Sequence, residues 1–237
     1  MLRAIFFDCD GVLADSEPLH WRAMDVVLRR EGLGLTWDEY VRDYLGRTDP
    51  DMFRRALEAA GRACDDGRIE SLVAAKADVF PDILDRELAP LPGVVELVRR
   101  VAARWPLAVC SGAFRADIET IVTRLGIADC FRAIVSNEDI VRGKPDPEGF
   151  LLALRRVNEL RRDGPPIRPD ECVVIEDSLP GVAAGKAAGM RVIRLVPSRT
   201  GSPVVPPRAT SERRQSPQED VRVSSLVEVT DELLLGS

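Results

Sequence analysis

Histidine is nearly absent from this chain of 237 residues, because His20 is the only one. Cysteine is sparse as well, and its five copies are scattered without a Cys-x-x-Cys pair: Cys9, Cys64, Cys110, Cys130 and Cys172. A zinc site made of histidine and cysteine therefore has almost no ligands available. An odd number of dispersed cysteines also argues against a disulfide framework and favours a reduced, cytoplasmic protein.

Long apolar runs and nucleotide-binding glycine patterns are also missing. No segment approaches the roughly 20 apolar residues of a membrane span, and the first apolar stretch is too short for a signal-peptide core. No Gly-x-Gly-x-x-Gly follows a strand-like run, so dinucleotide-dependent oxidoreduction has no support. The formal net charge is −6, and an acidic surface attracts neither nucleic acid nor an anionic membrane. Any phosphate-bearing ligand must be held by local donors and a cation.

Short apolar runs alternate with amphipathic segments in most of the chain. The runs predicted to be buried strands are Ala4–Phe7, Leu107–Cys110, Ala133–Val135, Cys172–Ile175 and Val192–Val196. The segments predicted to be helices are Val94–Ala103, Asp117–Leu125, Glu148–Asn158 and Gly181–Gly189. This alternation predicts an α/β fold with a parallel sheet and helices on both faces. In such sheets, ligands bind beyond the carboxyl ends of the strands.

Two segments break this alternation. Residues 16–90 contain four helical patterns and no convincing strand: Glu17–Glu31, Trp37–Leu45, Pro50–Ala60 and Arg68–Phe80. We interpret them as an α-helical cap domain inserted into a core formed by 1–15 and 91–237. Residues 197–220 hold five prolines and four serines, which predicts a flexible surface segment. Val221–Val223 and the helix-like Leu226–Leu235 are then expected to pack back on the core.

Two carboxylates, Asp8 and Asp10, follow the first predicted strand directly. Like charges leaving a buried strand are unfavourable unless a cation compensates them, and Mg²⁺ is typical where phosphate is the ligand. One carboxylate can attack phosphorus, while the other gives a proton to the leaving group and takes one from water. The alternative for an isolated Asp-x-Asp-Gly is a strand-ending turn.

Three further clusters lie at or near the ends of later strands. Ser111 and Gly112 offer a hydroxyl and open N–H groups to a phosphate oxygen, although a plain turn explains this dipeptide more simply. Lys144 lies in a stiff loop and could neutralise a phosphate; an exposed lysine is the alternative. Glu176 and Asp177 could complete a metal site, or Asp177 or Ser178 could cap the next helix. A parallel sheet would bring all four clusters to one edge.

Together these motifs resemble the haloacid dehalogenase superfamily over roughly residues 1–196. Its four motifs are matched in order by Phe7–Val12, Ser111-Gly112, Lys144 and Glu176-Asp177. The run Gly143–Pro147 is typical of the subfamily with a helical cap, close to β-phosphoglucomutase-like and phosphoglycolate phosphatase-like proteins. The resemblance implies a Rossmann-like core with the cap inserted after the first motif.

The resemblance also implies roles for these residues. Asp8 would be the nucleophile and Asp10 the general acid and base. Mg²⁺ would be held by Asp8, the backbone carbonyl of Asp10 and Asp177, with Glu176 as a ligand or beside one. The phosphoryl group would be bound by the second and third motifs: Ser111, Gly112 and Lys144. Dehalogenating members usually lack the second aspartate of the first motif, so Asp10 argues against dehalogenation.

The predicted cap has three candidate substrate residues, His20, Arg47 and Lys76. His20 and Lys76 lie where mutase-like relatives often carry these residues, although a helix-surface histidine and a solvated lysine are the alternatives. The mutase pattern has its phosphate-binding arginine later than Arg47, near the position of Asp49, with a serine where Met52 stands. This departure weakens the mutase interpretation. The cap is expected to close over the core and exclude water.

The expected activity is a Mg²⁺-dependent phosphatase acting on a small phosphorylated metabolite, such as a sugar phosphate or phosphoglycolate. A sugar phosphomutase is the first alternative, and a non-catalytic phosphometabolite-binding regulator is an alternative of another class. The expected partner is the small metabolite, with neither nucleic acid nor membrane. We expect a monomer or a weak homo-oligomer.

Overall fold

The computed structural model describes residues 1–44, 47–196 and 219–236. The chain divides into two compact units, one formed by Met1–Asp15 with Ala89–Ser237 and the other by Ser16–Leu88. The described α-helices are α1 Glu17–Arg30, α2 Trp37–Asp43, α3 Asp49–Ala59, α4 Asp66–Glu87, α5 Val94–Ala102, α6 Arg115–Arg124, α7 Glu148–Glu159, α8 Leu179–Ala187 and α9 Asp231–Leu235. Within the described residues, none of these helices is both long and apolar enough to cross a bilayer.

The first unit is built on a parallel sheet. In the part of this unit that the structure describes, the sheet has six strands: β1 Ala4–Phe7, β2 Leu107–Cys110, β3 Phe131–Val135, β4 Cys172–Glu176, β5 Arg191–Leu195 and β6 Val221–Val223. They lie in the order β3-β2-β1-β4-β5-β6, and every neighbouring pair is parallel. All four residues of β1 are fully buried, as the apolar run predicts for a central strand.

Helices cover both faces of the sheet. Alternate strand residues such as Phe6 and Val174 form one apolar cluster with α7 and α8. The connections through α5 and α6 lead from β1 outward to β2 and β3, in the direction opposite to α8. Right-handed crossovers in opposite directions place these helices on opposite faces. The predicted α/β fold is confirmed.

The chain connects β1 to strands on one side of the sheet and β4 to strands on the other side. The loops that follow β1 and β4 therefore diverge and leave a crevice between them. The Asp8 amide donates to the carbonyl of Ile175 over 3.0 Å, which ties the ends of these two strands together. Ser111 is tied in the same way to Val135, over 3.0 Å. Such a reversal in the direction of the connections is where open α/β sheets bind ligands.

The second unit has its own apolar core, made by one face of each of its helices. Met24, Tyr40, Phe53 and Leu72 are among the buried residues of this core. The helix α4 is longer than predicted and continues through Pro81 to Glu87. The prediction ended this helix at Phe80, but burial of Phe80 and Leu84 on either side of Pro81 stabilises the continuation.

Two predictions for the C-terminal part need correction or fall outside the described residues. The helix-like Leu226–Leu235 is a 3-10 turn at Leu226–Glu228 followed by the short helix α9, because Thr230 starts a new helix by accepting from the Leu233 amide. Of the predicted flexible segment 197–220, only Glu219 and Asp220 are described, and the Asp220 amide donates to Val192 over 3.0 Å. The end of the predicted helix at Leu45 also lies outside the described residues.

Candidate active site at the carboxyl edge of the sheet

The loop after β1 passes very close to the loop after β4. Asp8 is buried, with an exposed fraction of 6%. Gly11 has φ +79°, and a Cβ atom built on it would overlap the carboxylate of Asp177. Both the left-handed backbone and the close approach therefore require glycine here. The sequence shows this residue in the first motif, but its contact with Asp177 appears only in three dimensions.

The Lys144 ammonium lies between two carboxylates from different strands. Its Nζ donates to Asp8 Oδ1 over 2.5 Å and to Glu176 Oε1, and it lies 5.4 Å from the centroid of the Phe150 ring. Burial lowers the pKa of this ammonium, but Asp8 and Glu176 outweigh that effect and hold the pKa well above its ordinary value. Lys144 is therefore charged, and the alternative of an exposed lysine in a turn is wrong.

Glu176 is completely buried at the end of β4. Its Oε2 accepts from the Ser178 amide over 2.8 Å and from the Ser178 hydroxyl over 2.9 Å. The same hydroxyl accepts from the Gly181 amide over 3.0 Å, so Ser178 caps α8. A Cβ on Gly181 would overlap the Glu176 carboxylate. The cap and the acidic cluster therefore coexist, with different residues in each.

Asp8, Glu176 and Asp177 form a compact acidic cluster, with carboxylate oxygens within 4.8 Å of one another. Burial raises the pKa of Asp8 well above its ordinary range, although Lys144 opposes this. Burial, followed by the charge of Glu176, raises the pKa of Asp177 to about 7. Three carboxylates outweigh the one ammonium among them. A hard divalent cation with oxygen ligands fits this donor set, and Mg²⁺ is such an ion.

Ser111 and Asp10 approach each other from β2 and β1. Ser111 is 3% exposed, and its hydroxyl donates to Asp10 Oδ2 over 3.4 Å. The Ala113 amide donates to the Ser111 oxygen over 3.2 Å, which fixes the loop after β2. Gly112 has open space around its Cβ position, so no steric need for glycine exists there. The structure thus brings Asp8, Lys144, Glu176 and Asp177 together, and Asp10 with Ser111.

The candidate residues of the second unit have partners within that unit. The Lys76 ammonium pairs with the Asp49 carboxylate and lies 3.3 Å from His20 Nδ1. The imidazole of His20 stacks on Phe80 with 4.2 Å between ring centroids. Lys76 is only 2% exposed, so the alternative of a solvated lysine is wrong. The anion that pairs with Lys76 thus lies near the position where the mutase pattern carries an arginine.

Arg47 is half-buried at the start of α3. Its guanidinium donates to the Asp43 carbonyl over 2.9 Å and to Asp51 Oδ2 over 2.7 Å. Met52, in the place of the serine of the mutase pattern, is buried in the core of the second unit. A role of His20, Arg47 and Lys76 in substrate selection stays a prediction.

Known proteins with similar sequences identify the family of this chain. The family model of haloacid dehalogenase-like hydrolases matches residues 2–189. A fructose-1-phosphate phosphatase, YqaB, from Escherichia coli is 30% identical over 80% of this chain and 94% of its own. A phosphorylated carbohydrates phosphatase from Thermotoga maritima is 31% identical over 81% of this chain and 84% of its own.

A solved structure agrees with this relationship. CbbY from Rhodobacter sphaeroides, in complex with phosphate, superposes with a TM-score of 0.77 and 26% identity, over 96% of both chains. The match of the family model covers most of the chain and all four motifs. The protein belongs to the haloacid dehalogenase-like hydrolase family, as the resemblance of its motifs predicts.

Proposed function

We propose that this protein is a Mg²⁺-dependent phosphatase that hydrolyses a small phosphorylated metabolite through a phosphoaspartate on Asp8. The observation that carries this proposal is the cluster of Asp8, Glu176 and Asp177 with the Lys144 ammonium. Most of its charge is negative, and it lies where the sheet reverses direction. Such a site binds a phosphate only with a cation, and it holds a carboxylate ready to attack phosphorus.

The residues divide the reaction between them. An Asp8 carboxylate oxygen attacks phosphorus while the bond from phosphorus to the leaving oxygen breaks. Asp10 gives its proton to that oxygen and then takes one from the water that attacks the phosphoaspartate. This second attack breaks the bond between phosphorus and the Asp8 oxygen and releases inorganic phosphate. Ser111 and Lys144 bind the oxygens of the transferring group and hold it in line.

Mg²⁺ would be held by Asp8, Asp177 and the backbone carbonyl of Asp10. When bound, it supplies positive charge that offsets the charge on the phosphoryl oxygens. Glu176 has a different role in this proposal, because its two oxygens already accept from Lys144 and Ser178. It keeps the ammonium and the start of α8 in place beside the metal ligands.

A sugar phosphate is the substrate class that we favour. The named relatives act on fructose 1-phosphate and on phosphorylated carbohydrates, and the chain is similar to both over four fifths of its length. The pairing of Lys76 with Asp49 supports a phosphatase over a mutase, because a neutralised lysine is a weak site for a second phosphate. His20 and Arg47 are proposed to help select the substrate.

The test is phosphorus NMR of the protein with Mg²⁺ and a mixture of phosphometabolites. The mixture contains hexose 1-phosphates, pentose phosphates, phosphoglycolate and a trace of sugar bisphosphate. We expect a growing inorganic phosphate signal that Asp8→Asn abolishes and that the exposed-site control Asp129→Asn retains. Phosphate that moves between sugar positions without release would establish a mutase instead. Binding without any turnover would favour the regulator.

A further inference from the structure

The loop that carries Lys144 is closed at its base by one carboxylate. Glu148, the first residue of α7, accepts from the Val141 amide over 2.9 Å through Oε1 and from the Arg142 amide over 3.1 Å through Oε2. We call Val141, Arg142 and Glu148 the loop clamp. The clamp turns residues 141–148 into a closed ring of chain, with Lys144 inside it.

A second set of contacts stiffens this ring. The Arg142 guanidinium pairs with Asp146 Oδ2 over 2.7 Å and with Glu148 Oε2 over 3.3 Å. Asp146 Oδ1 accepts from the Glu148 amide over 3.0 Å, and the Asp146 amide donates to the Gly143 carbonyl over 3.0 Å. Both oxygens of each carboxylate are therefore used within the loop.

The first turn of α7 provides both the Glu148 carboxylate of the loop clamp and the Phe150 ring beneath the Lys144 ammonium. Phe150, two residues after Glu148, is 1% exposed and lies beneath Lys144 Nζ. The ammonium therefore reaches Asp8 and Glu176 from a loop fixed to the same helix that supports it. A loop free at its base would give up this fixed geometry, and small displacements of a binding group can reduce a rate by about 100-fold.

We propose that Glu148 is a positioning residue that acts through Lys144, in addition to the residues of the four motifs. The inference rests on the proposed function, in which Lys144 binds the transferring phosphoryl group. An acidic residue in the first turn of a helix also stabilises that helix through its dipole. That effect alone would change the stability of the protein and leave the reaction of the folded enzyme unchanged, so the two roles can be separated.

The experiment uses four variants of the full chain: Glu148→Gln, Lys144→Gln, the double variant, and Glu159→Gln as a control at the other end of α7. Glutamine is about as large as glutamate, but its NH₂ group would face one of the two backbone N–H donors and cannot accept that hydrogen bond. In Glu148→Gln we expect amide exchange at Val141 and Arg142 to rise by about 10-fold or more and kcat/KM to fall by about 10- to 100-fold. Glu159→Gln should match the wild type.

The double-mutant cycle decides whether Glu148 acts through Lys144. With Lys144→Gln already present, Glu148→Gln should reduce kcat/KM no further. An equal further loss, or a lower melting temperature with unchanged kcat/KM, would overturn the proposal. Unchanged amide exchange at Val141 and Arg142 in Glu148→Gln would show that Glu148 does not hold the loop. If the wild type hydrolyses nothing, the proposed function fails, and the clamp is then judged by exchange and by calorimetric titration of inorganic phosphate.

Discussion

At the scale of single residues, the candidate site depends on the absence of side chains as much as on their presence. Gly181 leaves the space that the Glu176 carboxylate fills, although it lies inside α8. The four motifs could be identified from the sequence because their carboxylate, hydroxyl and ammonium groups are typical of catalytic and binding sites. Gly181 is needed for the space that it leaves, and the carboxylate that fills this space belongs to Glu176 at the end of β4, 5 residues earlier in the chain.

Gly181→Ala should destabilise the protein by about 1–3 kcal/mol, since its Cβ would overlap a buried carboxylate. Gly67→Ala is the matched control, because it also lies in a helix and its Cβ would make only an ordinary contact of 3.5 Å. That control should be neutral or stabilising by up to about 1 kcal/mol. Urea unfolding curves measure both. Equal effects at the two positions would contradict the packing described here.

Metal binding should depend on pH through Asp177. Burial raises its pKa to about 7, so the carboxyl is protonated at pH 5.5 and charged at pH 8. A pKa raised by folding gives stability that is complete below the ordinary value and is lost as pH rises through about 7. The metal-free protein should therefore melt at a lower temperature at pH 8, and Mg²⁺ should raise the melting temperature more at pH 8 than at pH 5.5.

Asp177→Asn tests this assignment. The metal-free variant should show a smaller decrease in stability between pH 5.5 and pH 8 than the wild type, and Mg²⁺ should stabilise it less than the wild type. Sodium chloride at matched ionic strength controls for screening. A Mg²⁺ effect that is equal at both pH values would contradict competition between proton and metal.

At the scale of elements, Asp139 joins a strand to two helices. It accepts from Arg156 of α7 over 2.7 Å, from the Ser136 amide over 2.8 Å and from Arg115 of α6 over 2.6 Å. The Arg156 contact contributes most to holding the pKa of this carboxyl far below its ordinary range, against a smaller opposing effect of burial. Both arginines also donate to the Ile134 carbonyl in β3.

Asp139→Asn should reduce the free energy of unfolding by about 2–4 kcal/mol at pH 7, because two guanidinium groups lose their shared anion. A lowered pKa gives stability that is present above the ordinary carboxyl pKa, near 4, and is lost as pH falls through the lower folded value. The difference in the free energy of unfolding between Asp139→Asn and the wild type should therefore become smaller only below about pH 4. Asp129→Asn, at an exposed aspartate, should change little.

Prediction from the sequence succeeded where the apolar pattern alone determines an element. The strands β1 and β2 end where predicted, because polar residues follow their buried runs at once. The strand β3 begins at Phe131, two residues before the predicted start at Ala133. The charged Arg132 interrupts the apolar pattern there, and an edge strand tolerates such an exposed charge. The loop clamp could not be found at all, because the pairing of Glu148 with two backbone amides depends on how the loop closes.

At the scale of the whole molecule, the C-terminal segment that the structure describes, residues 219–236, adds the strand β6 to the sheet of the first unit. β6 pairs with β5, and the Asp220 carboxylate accepts from Lys186 over 2.8 Å and from the Val192 amide over 2.7 Å. Four apolar residues of the segment are buried: Val223, Leu226, Val229 and Leu234. Each buried side chain of this size contributes about 1.5–3 kcal/mol.

A chain that ends at residue 218 should not fold cooperatively, because the lost burial is comparable to the whole stability of a typical domain, about 5–15 kcal/mol. It would also expose the edge of β5. Thermal melts followed by circular dichroism, beside the chain 1–236 as control, measure this. A cooperative melt within a few degrees of the control would show that the segment contributes little.

The insertion of the second unit has its two ends joined within the first. Ala14 forms an antiparallel bridge with Pro90, and the Leu91 amide donates to the Leu13 carbonyl over 3.5 Å. The two backbone segments of the first unit that flank residues 16–88 are thus hydrogen-bonded to each other. Because these bonds close the core across the insertion, an inserted segment of another length or sequence could replace residues 16–88 without any change in the strands that carry the candidate site.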